Sequence, residues 1–163
     1  MKRIVISLVG FVLTALPAYS QYISPGIRLG YDFKAGFNLG LKLSAGVDTD
    51  GSTISLTFGR KFGLGGESKF KTHNYIDLQA GRLSDTMGER KIQLFYGGGA
   101  GIIFYKENGK TVYHPRVTGF VGYIVFTTLD INLINWKNPE SDLGLQLVLP
   151  IPLGEPTELG TGG

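Results

Sequence analysis

The chain has no cysteine among its 163 residues, which excludes disulfides and a lipid-anchored cysteine. Histidine is almost as scarce. His73 and His114 are the only two and lie forty-one positions apart, so no metal-ligand cluster is visible. Charged residues make up 18% of the chain, against ~25% in ordinary soluble proteins. No basic run is present, which argues against a nucleic-acid partner. After the first twenty residues, no segment reads as a helix of useful length. What the chain has in their place is glycine, 25 residues, about twice the usual ~7%. The glycines are spread through the chain rather than gathered in a linker, which fits tightly curved, crowded strands.

The first residues set the compartment. Lys2 and Arg3 precede a mostly apolar run from Ile4 to Leu16, and Ala18-Tyr19-Ser20 then places small residues at the −3 and −1 positions before Gln21. This is the layout of a secretory signal peptide, residues 1–20. The thirteen-residue run is short for a spanning helix, which needs roughly 20. Losing Lys2 and Arg3 lowers the basic count from 16 to 14 against 13 acidic residues, so the mature chain is nearly neutral. Its 143 residues are enough for one domain, read as a barrel over 21–154 with a loose tail at 155–163.

That domain alternates. Phe37, Leu39, Leu41, Leu43, Ala45 and Val47 occupy odd positions, with Asn38, Gly40, Lys42, Ser44, Gly46 and Asp48 between them. Leu143, Leu145, Leu147, Leu149, Ile151 and Leu153 repeat the pattern. Side chains alternate across a strand, so these segments are strands with one greasy and one small or polar face. Eight are expected, near 22–33, 37–47, 54–60, 70–83, 91–105, 117–125, 129–133 and 143–153. Lys34-Ala35-Gly36, Asp48 to Ser52 and Glu107-Asn108-Gly109-Lys110 are turn signals. Gly63 to Lys69, Ser84 to Arg90 and Asn135 to Ser141 read as loops. Val117 to Leu133 keeps one parity without punctuation. It fits either two strands joined by a three-residue loop at Phe126-Thr127-Thr128 or one long bent strand. The first is favoured because bacterial barrels have even strand counts.

The direction of the greasy face decides the function class. A soluble lipid-carrying barrel turns it inward, and a membrane barrel turns it outward. The opposing face is rich in Gly, Ser and Thr with balanced charges: Arg28, Lys42, Lys61 and Arg116 against Asp32, Asp77, Asp130 and Asp142. In a narrow lumen these would pair, because a buried charge needs a partner. Tyr22, Phe33, Phe37, Phe62, Phe70, Tyr75, Phe104, Tyr123 and Trp136 lie near strand ends and suit two interfacial girdles. Arg60 shares the greasy parity but sits near a strand end, where it can snorkel.

With its leader, its mature length and glycine-rich alternation such as Gly26-Ile27-Arg28-Leu29-Gly30-Tyr31, the chain resembles the small eight-stranded outer-membrane β-barrel proteins. The resemblance covers the mature chain and lies in pattern. It implies an all-β, closed antiparallel up-and-down barrel in a bacterial outer membrane, with outer-membrane lipid around it and envelope proteins as partners. That family usually ends its last strand on an aromatic residue, whereas this chain runs Pro150-Ile151-Pro152-Leu153-Gly154 into a polar tail.

Little reads as chemistry. The outer-membrane lipid A deacylases, of similar size, use a His-x-Ser pair; here His114-Pro115-Arg116 has arginine where serine is required. Gly97-Gly98-Gly99-Ala100-Gly101 is followed by strand rather than by the helix that a phosphate loop needs. It reads as a bare inner wall beside Phe95, Ile103 and Phe120. No catalytic, cofactor-binding or metal residue is assigned and no cofactor is expected. The expected function is a non-enzymatic outer-membrane barrel with a side-chain-filled lumen and a structural or accessory envelope role. The alternative is a soluble secreted or periplasmic barrel holding a lipid-like ligand.

Overall fold

The computed structural model describes residues 20–49, 51–64, 72–84, 93–134, 136–137 and 139–153. The segment expected as signal peptide, apart from Ser20, lies outside them, as do residues 154–163 and Phe70. The strands are β1 (Ser20–Asp32), β2 (Gly36–Thr49), β3 (Ser52–Gly63), β4 (Thr72–Leu83), β5 (Phe95–Glu107), β6 (Lys110–Gly122), β7 (Val125–Asn132), β8 (Glu140–Val148) and the two-residue β9 (Ile151–Pro152). Each of β1 to β7 pairs antiparallel with the next, and β8 pairs back onto β1. The result is a closed eight-stranded up-and-down barrel with no open edge. After Leu149 and Pro150, β9 resumes the line of β8 and pairs Ile151 and Pro152 with Ile23 and Tyr22.

Turn chemistry fixes the registers. Asp32 faces Gly36 across the first hairpin. The Asp32 carboxylate accepts hydrogen bonds from the amides of Lys34 and Ala35, each at 2.8 Å. Gly36 takes φ +81°, the left-handed position expected of it. Asn108 and Gly109 both have positive φ, 49° and 77°, the two-residue geometry that matches strand twist. The β6–β7 connection does preserve parity through three residues, but it is Tyr123-Ile124-Val125, between the paired Gly122 and Phe126. The expected break at Phe126-Thr127-Thr128 is therefore corrected. Those three residues pair with Gly122, Val121 and Phe120, and the turn takes the position where the β6 ladder ends on a glycine. β8 likewise starts at Glu140, inside the segment expected as loop.

The alternation resolves into an outside and an inside. Leu29, Leu41, Ile54, Phe58, Leu78, Val117, Leu129 and Leu145 all point outward and are exposed. Arg28, Lys61, Asp77, Arg116, Asp130 and Asp142 point inward and are buried. Polar residues thus form most of the buried interior, the inverse of a soluble barrel. Of the expected girdle, Phe33, Phe37 and Trp136 are exposed on the outside, and Tyr123 is exposed at the rim of the barrel. Tyr31 meets Phe33 and Phe37 edge to face, with centroids 5.9 and 5.1 Å apart. Arg60 is held over the Phe62 ring at 5.2 Å. Tyr22 and Tyr75 depart from the expectation. Tyr75 is buried in the lumen and Tyr22 lines an internal cavity, because both share the parity of the inward charges on their own strands.

Candidate functional site

The lumen divides into two halves of different chemistry. One end of the barrel, here the distal end, carries the Phe33–Ala35 and Asn108-Gly109 turns. The other, the terminal end, carries the β2–β3 connection at Gly51, the Tyr123–Val125 turn and the start of β1.

The distal half is filled. Asp130 on β7 and Asp142 on β8 face each other across the ladder, a repulsive arrangement for two carboxylates unless cations intervene. Two do. Arg28 reaches Asp142 at 2.5 Å and Asp130 at 3.4 Å, and Lys61 does the same at 2.5 and 3.4 Å. Asn38 donates to the second Asp142 oxygen at 2.8 Å. Arg116 bonds Asp130 at 2.8 Å and approaches Asp77 at 3.3 Å, while its guanidinium lies 4.0 Å from the centre of the Tyr75 ring. Thr118 and Thr128 complete the set through Asp130 at 2.7 Å and Arg28 at 2.8 Å. Three cations thus meet three carboxylates, and this balance makes burial tolerable. Above them, towards the distal rim, Tyr75, Ile103 and Tyr105 pack together with Val112 and Ile134.

The glycines make room for this plug. A Cβ on Gly30 or Gly144 would run into the Arg28 guanidinium, and one on Gly40 would sit 3.3 Å from its Cβ. Arg28 therefore lies across three bare backbone positions on β1, β2 and β8. Gly59 does the same for the Tyr75 ring, and Gly97 for Phe120. The glycine-rich run 97–101 is the bare wall expected of it.

The terminal half is open. A cavity of about 450 Å³ reaches from Lys42 to the rim at Asp48, Thr53, Tyr123 and Pro152. Phe95, Phe120 and Phe126 form one wall, with centroids about 6 Å apart. Ser24, Ser44, Ser55, Gln79 and Gln146 form the other. The expectation of a side-chain-filled lumen holds for the distal half and is corrected for this one, because serine and glycine at the inward positions leave the space unoccupied.

The eight inward charges named from the sequence do share one interior, but they do not pair four with four. Asp32 is spent on its turn amides, and Lys42 lines the cavity outside the plug. Alternation reveals which side chains turn inward; which of them meet depends on register and on side-chain reach. His114 stacks on Tyr105, with Nε2 3.0 Å from the phenol oxygen. Arg116, two residues on, belongs to the plug. His73 is buried on β4. Among the described residues, no group of three or more His, Cys, Asp or Glu side chains could hold a metal ion.

The sequence matches no protein-family model and no curated protein. Solved structures that match it include the following two. One is Neisserial surface protein A, at TM-score 0.53 and 12% identity, over 79% of this chain and 96% of that one. The other comes from a de novo design of transmembrane β-barrels, at TM-score 0.39 and 8% identity, over 78% and 95%. With its closed eight-strand topology, apolar exterior and charged interior, the chain has the fold of the small eight-stranded outer-membrane β-barrels.

Proposed function

We propose that this protein is an integral barrel of a bacterial outer membrane, non-enzymatic, with a structural or accessory role in the envelope. The observation that carries the reading is the sorting of its faces. Large apolar side chains are exposed around the outside on every full-length strand, where water would penalise them and lipid would not. Inside, Arg28, Lys61 and Arg116 pair with Asp77, Asp130 and Asp142. A soluble lipid carrier needs the opposite sorting, so the two-faced pattern disfavours that alternative. The likeness in fold to Neisserial surface protein A supports the same placement.

The test is fractionation of cells producing the full chain. The mature protein is expected in the outer-membrane fraction, to float with lipid on a density gradient, and to migrate differently in mild detergent before and after boiling. Recovery in the supernatant after membranes are pelleted without detergent would sink the reading.

A further inference from the structure

The open half of the lumen is chemically asymmetric along its length and around its wall. Its volume, about 450 Å³, lies within the ~300–1,000 Å³ typical of small-molecule sites. At its inner end is Lys42, midway along β2, whose stem passes over Gly26 so closely that a Cβ there would sit 3.2 Å from the Lys42 Cγ. The plug engages Arg28, Lys61 and Arg116 with Asp77, Asp130 and Asp142. Among the described residues no carboxylate is within ion-pairing distance of the Lys42 ammonium; Asp130 and Asp77 of the plug attract it only from farther away, and both are already engaged by Arg116. Asp48, the one carboxylate among the described residues of the cavity lining, stands at the rim, six residues further along the strand, or roughly 20 Å by strand rise. It cannot serve as the counter-ion.

An ammonium inside a confined, partly apolar cavity attracts an anion more strongly than the same group in water. The wall formed by Phe95, Phe120 and Phe126 is apolar and runs from this depth towards the mouth. A small inorganic anion would leave that wall uncovered, and an uncharged lipid would leave Lys42 without a direct ion pair. We infer that the well binds a monoanionic amphiphile of the fatty-acid type, entering from the terminal end. Its carboxylate meets Lys42 Nζ and its hydrocarbon tail lies along Phe95, Phe120 and Phe126. The Ser24, Ser44 and Gln146 side chains supply hydrogen-bonding groups around the head and the upper tail. The site goes beyond the envelope role proposed above and depends on the closed lumen rather than on the surrounding membrane.

The probe is octanoate, labelled with carbon-13 at the carboxyl, titrated into the full-length mature chain refolded in phosphatidylcholine nanodiscs. Boiling-dependent migration is scored in parallel to establish that every sample is folded. Saturable binding is expected, with nuclear Overhauser contacts from the tail methyl to the rings of Phe95 or Phe120. Lys42→Met should weaken binding at least tenfold, and Lys42→Arg should hold it within about threefold. Octanol, octylammonium and acetate should each compete at least tenfold less well than octanoate. Four results would overturn the site: no saturable binding by the folded protein, equal binding by Lys42→Met, competition by octylammonium as strong as by octanoate, or no tail contact with the aromatic wall. Binding that emerges only after removal of residues 155–163, which include Glu155 and Glu158, would mean that the chain's own tail is the occupant, and would equally overturn it. The wild-type ring contacts decide the matter should Lys42→Met fail to fold.

Discussion

Asp142 shows what a single residue does in this interior. It is 0% exposed and accepts from Arg28, Lys61 and Asn38 at 2.5, 2.5 and 2.8 Å. Removing one partner of a buried ionic set leaves uncompensated charge, which costs ~3–5 kcal/mol. Asp142→Asn is expected to lower the unfolding free energy by about that much, as read from urea titration of the barrel in lipid vesicles. Asp48→Asn at the exposed rim should change it by less than ~0.5 kcal/mol; equal effects would contradict the plug. The inward placement of Asp142 was legible in the alternation Asp142, Gly144, Gln146. Its partners were not, because Arg28 and Lys61 are 114 and 81 residues away in sequence. Lys42 and Asp32 show the cost of that blindness. Both read as members of a balanced set, and only cross-strand register and the turn amides separate them from it.

At the scale of the element, each strand is specified by its two faces. Leu145 on β8 is 59% exposed, while Gly144 and Gln146 beside it face the lumen. Leu145→Lys should impair stable insertion by ~2–4 kcal/mol if the position lies near the midplane of a bilayer. Gln146→Lys, one residue on, should leave insertion largely intact. The measurement is the yield of boiling-sensitive folded protein in vesicles, and equal yields for the two variants would count against the face assignment. Hairpins with explicit chemistry, Lys34-Ala35-Gly36 and Asn108-Gly109, stood out in the sequence. The β6–β7 turn did not, since Tyr123-Ile124-Val125 contains no turn-forming residue and keeps the outward face greasy. Tyr22 and Tyr75 lie near strand ends, as girdle residues do, but they share the parity of Arg28 and Asp77 on their own strands, and parity turns them inward.

For the molecule as a whole, the plug and the well make the barrel a cup rather than a pipe. Side chains from seven strands, β1 to β4 and β6 to β8, cross the lumen through Arg28, Asn38, Lys61, Asp77, Arg116, Asp130 and Asp142, with Tyr75 and Ile103 stacked beyond them. Purified protein in a planar bilayer is therefore expected to give no discrete conductance steps; regular steps resembling those of an open pore would show that the distal half is not sealed.

The plug's charges are unevenly distributed along the chain. β1 to β6 contribute Arg28, Lys61 and Arg116 but only Asp77 in return. The remaining two carboxylates arrive on β7 and β8, the final hairpin. Six strands curled together without that hairpin would hold two surplus positive charges towards the axis, a state that burial penalises. The last hairpin both completes the ring of strands and cancels that surplus. In this protein, closure and neutralisation are one event, and a chain cut short before Val125 would have neither.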